Sequence, residues 1–179
     1  MEDINIMLTI KSDIYLSISL FSLLITALII APFVHEISII CAVILEGCEF
    51  YYLNFKLTLL EGLKASTEIL CPLEIYNYVT ISLAGFFSTL AIGNLILFFV
   101  FYFYRRYGHV LLCSLFIGFG FIFNSLLCFF EKTEVSDFFL YTYGIELNSL
   151  YFVGTPLLLS YLYIVFYFFR IYLNKEVFA

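Results

Sequence analysis

The sequence predicts a membrane all-α four-helix bundle with a small extracellular β-sheet supplied by the first of two outer loops. Three observations carry this. The 179-residue chain is 64% hydrophobic and only 12% charged, whereas a soluble domain is about 45–50% apolar and about 25% charged. Charge-free runs flank a short basic turn, Arg105-Arg106-Tyr107-Gly108-His109, and each run reaches the roughly 20 residues that a spanning helix needs. Finally, Leu53-Asn54-Phe55-Lys56-Leu57-Thr58-Leu59 alternates apolar and polar residues, the period-two pattern of a strand with one apolar face.

The elements follow in order. Residues 1–13 form a mildly acidic tail, and the uncharged residues 14–34 form the first helix. With only Lys11 against three acids ahead of it, this run reads as an uncleaved anchor and not as a signal peptide. Residues 35–77 make the first outer loop. Within it, 37–45 is apolar enough for a fifth helix. Such a helix would draw Glu46 and Glu49 into hydrocarbon, at about 2.5–3.5 kcal/mol for a central charge. The alternating stretch next to it favours a strand, and open strand edges cannot sit in lipid. The segment is therefore expected outside the membrane.

The second helix is expected over 78–104 and the third over 110–130, joined by the basic turn. Gly85, Thr89 and Gly93 recur every four residues on the second helix, and Gly120, Asn124 and Cys128 do so on the third. Small residues at this spacing let helix backbones approach closely, so both stripes are expected to pack inside the bundle. A second outer loop, 131–146, carries four acids against Lys132. The fourth helix is expected over 147–169, bent at Gly154-Thr155-Pro156, and ends before Arg170 and Lys175. Tyr76, Tyr78, Tyr102, Tyr104, Tyr161, Tyr163, Tyr167 and Tyr172 read as aromatic belts at the membrane surfaces.

Charge sets the orientation. The segments assigned to the cytoplasm hold five bases and four acids, and the two outer loops hold three bases and ten acids. Lys and Arg are retained on the cytoplasmic side, and Arg105 with Arg106 is the strongest such signal in the chain. Both termini are therefore expected in the cytoplasm of a multi-pass plasma-membrane protein. A net charge of −6 excludes a nucleic-acid partner, since there is no basic patch to neutralise phosphates.

This arrangement, and the residues late in the chain, resemble the claudin/PMP22/calcium-channel-γ superfamily. Ser136-Asp137-Phe138-Phe139 resembles the family's polar-Asp-Phe-aromatic step after the third helix. Tyr141-Thr142-Tyr143-Gly144, then Ser149-Leu150-Tyr151-Phe152-Val153-Gly154, resembles its entry to the fourth helix. Glu61-Gly62-Leu63 is similar to the start of the Gly-Leu-Trp signature, but Lys64 stands at the tryptophan, and the chain has no tryptophan. The family carries two cysteines in its first outer loop, spaced more closely than the 23 residues between Cys48 and Cys71 here. Both lie in the segment expected outside, where an oxidising environment lets bridges persist. A Cys48–Cys71 disulfide is the expected pairing, with Cys41 the rival partner for either. The resemblance implies a claudin-like protein that assembles through its outer loops with itself, with other claudin-like proteins or with a channel subunit, in adhesion, barrier formation or channel assistance. Cell junctions become an expected location.

Candidate chemistry is sparse. His35, Glu36, Glu46 and Glu49 form the one acid and imidazole cluster. In a five-helix alternative, Glu46 and Glu49 would share a helix face and serve, with His35, a small intramembrane enzyme or transporter. No phosphate loop, nucleophile elbow or metal motif occurs. Neither catalytic residues nor a cofactor is expected, and membrane lipid is the expected surround.

Overall fold

Residues 2–45 form one helical rod with a single irregularity. The computed structural model describes residues 2–58, 62–70, 75–103, 108–130, 139–140 and 142–176. Helix α1 (Glu2–Ile25) passes through a π-helical turn (Thr26–Ile30) straight into α2 (Ala31–Leu45). Pro32 accounts for the turn. It has no N–H, and its ring collides with the carbonyl four residues earlier in a regular helix. Widening the preceding turn relieves that collision, and the Ala31 N–H bonds the Thr26 carbonyl five residues back. The first helix therefore neither starts at residue 14 nor stops at residue 34. His35 and Glu36 opened the expected loop because they are polar, yet both continue the helix. Glu36 is 8% exposed on its inward face.

The rod ends where residue chemistry demands it. Gly47 takes φ +71°, a left-handed conformation that glycine adopts without steric cost. Gly47 N–H donates to the Ile44 carbonyl and Cys48 N–H to the Val43 carbonyl, at 3.1 and 3.0 Å. These are the two bonds of a Schellman cap. Strands β1 (Glu49–Thr58) and β2 (Gly62–Leu70) then form an antiparallel hairpin. Thr58 pairs with Gly62 near the tip and Glu49 with Leu70 at the base, with an irregularity between Phe50 and Tyr52. The hairpin folds back along α2, and β2 reaches as far as the π-helical turn.

Three long helices follow among the described residues: α3 (Ile75–Phe103), α4 (Gly108–Leu127) and α5 (Leu147–Glu176). Arg105 and Arg106 lie outside the described residues, and so do Cys71 and Asp137. His109 falls in the first turn of α4. Helix α5 runs seven residues past its expected end and continues through Pro156. Beyond α4, the N–H groups of Cys128, Phe129 and Phe130 each bond the carbonyl three residues back, the tightened geometry common at helix ends.

Helix α4 is the hub. It packs on α1, the π turn, α3 and α5, while α2 packs chiefly on α3. The rod thus crosses from α4 to α3 as it rises. Two apolar cores follow. The larger lies between α3, α4 and α5 around Leu97, Leu115, Ile122, Leu126, Phe129 and Val165. The smaller joins Ile39, Ala42, Val43 and Cys48 to Ile81 of α3. Outside both, large apolar side chains such as Phe21, Phe98, Phe152 and Phe166 are exposed. Three stretches, Ile14–Leu45, Leu83–Phe103 and Leu147–Ile171, are long and apolar enough to cross a membrane. Soluble monomers rarely show such continuous apolar surface, and the helices fit a membrane-embedded protein.

Candidate functional site

Close backbone approach holds the bundle together at named points. A β-carbon on Gly93 would lie 2.6 Å from Ile122 Cγ1 and 2.8 Å from the Gly118 carbonyl oxygen, so α3 and α4 meet there at backbone contact. Four residues away, Thr89 Oγ1 and Ser125 Oγ share a hydrogen bond of 2.7 Å. Gly85, one turn further, faces α2 instead. Its missing β-carbon leaves room for the His35 ring, whose Nε2 would stand 2.5 Å from it. Gly120 meets Thr26 and Ala27 of the π turn, and Gly154 of α5 abuts Phe129 Cβ. The π turn is also tied by Thr26 itself, which is fully buried. Ser19 Oγ and Cys113 Sγ, 3.3 Å apart, link α1 to α4.

The residues proposed for catalysis are not brought together. Glu46 caps α2 and Glu49 opens β1, so they share no helix face. His35 lies 11 residues below Glu46, about 16 Å along the helix, with its ring against α3. Among the described residues no group of three or more His, Cys, Asp or Glu is placed to hold a metal ion. The acid and imidazole cluster of the sequence is spread along a rod and its cap.

Of the cysteines, Cys41 and Cys113 are free thiols, and Cys48 is disulfide-bonded. Gly62 opens β2. Gly144 has φ +65° and ends a short helical turn, its N–H donating to the Leu140 carbonyl at 2.9 Å. Tyr161 departs from its expected place in an aromatic belt. Its hydroxyl donates to Asn94 Oδ1 at 3.0 Å, in the middle of α5 and α3 and not at a helix end.

The surface that stands out is on α2. Ile39, Ala42 and Val43 face the smaller core, while Ile37, Cys41, Ile44 and Leu45 face away from it and are exposed, Ile44 at 62% and Leu45 at 86%. Spacings of three and four residues align Ile37, Cys41 and Ile44 in one stripe. Beside it lies the hairpin, where Lys56 pairs with Lys64 across the strands. Sequence periodicity in 37–45 was visible, but nothing in it distinguished a second apolar face from a membrane-buried one. Compared with protein-family models, curated proteins and solved structures, the chain matches none.

Proposed function

We propose that the chain is a non-enzymatic multi-pass membrane protein that acts by assembly, lateral or cell to cell, through the layer formed by α2 and the hairpin. The observation that carries this reading is the exposed apolar stripe Ile37, Cys41, Ile44 on α2, set beside a hairpin that hydrocarbon would not tolerate.

Lengths support a position above the bilayer for this layer. The apolar part of the rod, Ile14–Leu45, has 32 residues and is about 48 Å long. Fitting it within a hydrocarbon core of about 30 Å would take a tilt near 50°, beyond the usual range of about 0–40°. Part of it therefore stands out of the core. The hairpin lies along α2 and reaches the π turn, and its open edges need water or protein. His35 lies level with Gly85, near the outer end of the α3 window Leu83–Phe103. Ile37, Cys41 and Ile44 then face water, where an apolar stripe is covered at a gain of about 25 cal/mol per Å².

The Cys48–Cys71 pairing that the resemblance implies would clamp the base of the hairpin to the end of α2. These features suit the claudin-like role that the resemblance implies, in adhesion, barrier formation or assistance to a channel at the plasma membrane. A membrane-impermeant lysine crosslinker on intact cells tests the reading. Multimers should form through Lys56 and Lys64, and Ile37→Ser with Ile44→Ser should lower their yield at least fivefold at equal surface level. An unchanged yield in the double variant would overturn assembly through this stripe.

A further inference from the structure

Helices α3 and α5 both pack on α4, yet among the described residues their backbones do not meet. Between them runs an open groove of about 530 Å³, lined by Leu97, Phe98, Phe101 and Phe168 with Asn94 and Tyr161. Phe98 and Phe101 on its rim are each 62% exposed. An apolar groove facing hydrocarbon would ordinarily hold acyl chains, but this one has a polar centre. Asn94 and Tyr161 lie close to the midpoints of the two apolar stretches, Leu83–Phe103 and Leu147–Ile171, so they sit near mid-depth in a bilayer.

The amide's hydrogen-bonding capacity is only partly used. Asn94 Nδ2 donates one hydrogen to the Leu90 carbonyl at 2.8 Å, and Oδ1 accepts from the Tyr161 hydroxyl at 3.0 Å. A primary amide has two hydrogens and two acceptor lone pairs. One of each is left on an exposed side chain, with no further partner among the described residues. Acyl chains offer neither donor nor acceptor at this depth, and an unmatched polar group in hydrocarbon costs several kcal/mol. The missing partner is therefore a polar group on another transmembrane helix at the same depth. A second copy related by a two-fold axis along the membrane normal meets that requirement without adjustment, because the axis sets each Asn94 at the same level. An amide is also its own complement, since it both donates and accepts.

We propose that the α3–α5 groove is a homodimer interface within the membrane, closed by reciprocal hydrogen bonds between the Asn94 amides of two copies, with Leu95, Phe98 and Phe101 packed around them. This surface is separate from the α2 stripe and does not rest on the assembly role proposed above.

The test uses the full-length chain in native membranes. Phe98→Cys, oxidised with copper phenanthroline, should give a disulfide-linked species of twice the chain mass. Phe21→Cys, exposed on α1, should give no more of it than the unsubstituted chain. Adding Asn94→Leu to Phe98→Cys should lower the crosslinked fraction at least threefold, and Asn94→Gln, which keeps an amide, should restore part of it. Single-molecule photobleaching of the chain carrying Ile37→Ser and Ile44→Ser, fused to a fluorescent protein, should show two steps, since assembly through the α2 stripe is then removed. Single-step bleaching, a crosslink indifferent to Asn94→Leu, or a Phe98→Cys adduct to some other protein would each overturn the proposal. Ile37→Ser with Ile44→Ser should leave the crosslink unchanged.

Discussion

At Gly93 the α3 and α4 backbones are so close that even one methyl group must displace Ile122 or the Gly118 carbonyl. Overpacking of this kind costs about 1–3 kcal/mol, occasionally more. Gly93→Leu is expected to lower both the thermal unfolding midpoint in detergent and the amount of protein reaching the cell surface. Thr89→Val is the milder companion. It removes the bond to Ser125 Oγ, but Ser125 still donates to the Phe121 carbonyl at 3.0 Å, so no buried hydrogen is orphaned. Interhelical bonds in membranes average about 0.6 kcal/mol, with a maximum near 1.7, and the midpoint should fall less than for Gly93→Leu. Equal midpoints for Gly93→Leu and the unsubstituted protein would mean that the helices do not meet there. The four-residue spacing of Gly85, Thr89 and Gly93 was legible as a small-residue stripe. Its three different partners, His35, Ser125 and Ile122, were not, because spacing along one helix says nothing about which helix lies opposite.

At the scale of elements, the ends of helices were hardest to read. His35 and Glu36 marked the end of the first helix by polarity, yet tertiary packing takes up both of them, His35 opposite a glycine and Glu36 on the inward face. The true stop was written at Gly47, directly after the apolar run 37–45, as a helix-terminating glycine. Strand β1 was legible from its alternation. Strand β2 carried a signal of the same kind, with Leu63, Ala65, Thr67 and Ile69 alternating with Lys64, Ser66 and Glu68. The disulfide prediction belongs here. Proteolysis of the protein without reductant should release one Cys48–Cys71 peptide pair. A bridge closing a loop of this length contributes roughly 3 kcal/mol in the chain-entropy account. Cys48→Ser should therefore expose the hairpin to proteases that leave the helices intact. Recovery of the Cys48 peptide as a free thiol from fresh membranes would contradict the pairing.

At the scale of the whole molecule, orientation rests on charge and on the rod. The basic turn and the C-terminal Arg170 and Lys175 are expected on the cytoplasmic side, so tags at either end should bind antibody only after permeabilisation. The rod that bears the hairpin points the other way. Hydropathy alone could not divide its 32 apolar residues between lipid and water, since α2 is apolar on both its buried and its exposed faces. Cys41 supplies a native reporter of that division, being a free and exposed thiol midway along the α2 stripe. The most direct test of the assembly layer is to treat intact cells with a membrane-impermeant maleimide and map the modified cysteine. The account predicts that in the Ile37→Ser, Ile44→Ser variant, whose stripe is left uncovered, Cys41 is labelled without permeabilisation and that buried Cys128 is not. Labelling of Cys41 only after permeabilisation, or only in detergent, would place α2 inside the cell or within the bilayer and contradict an outer assembly surface.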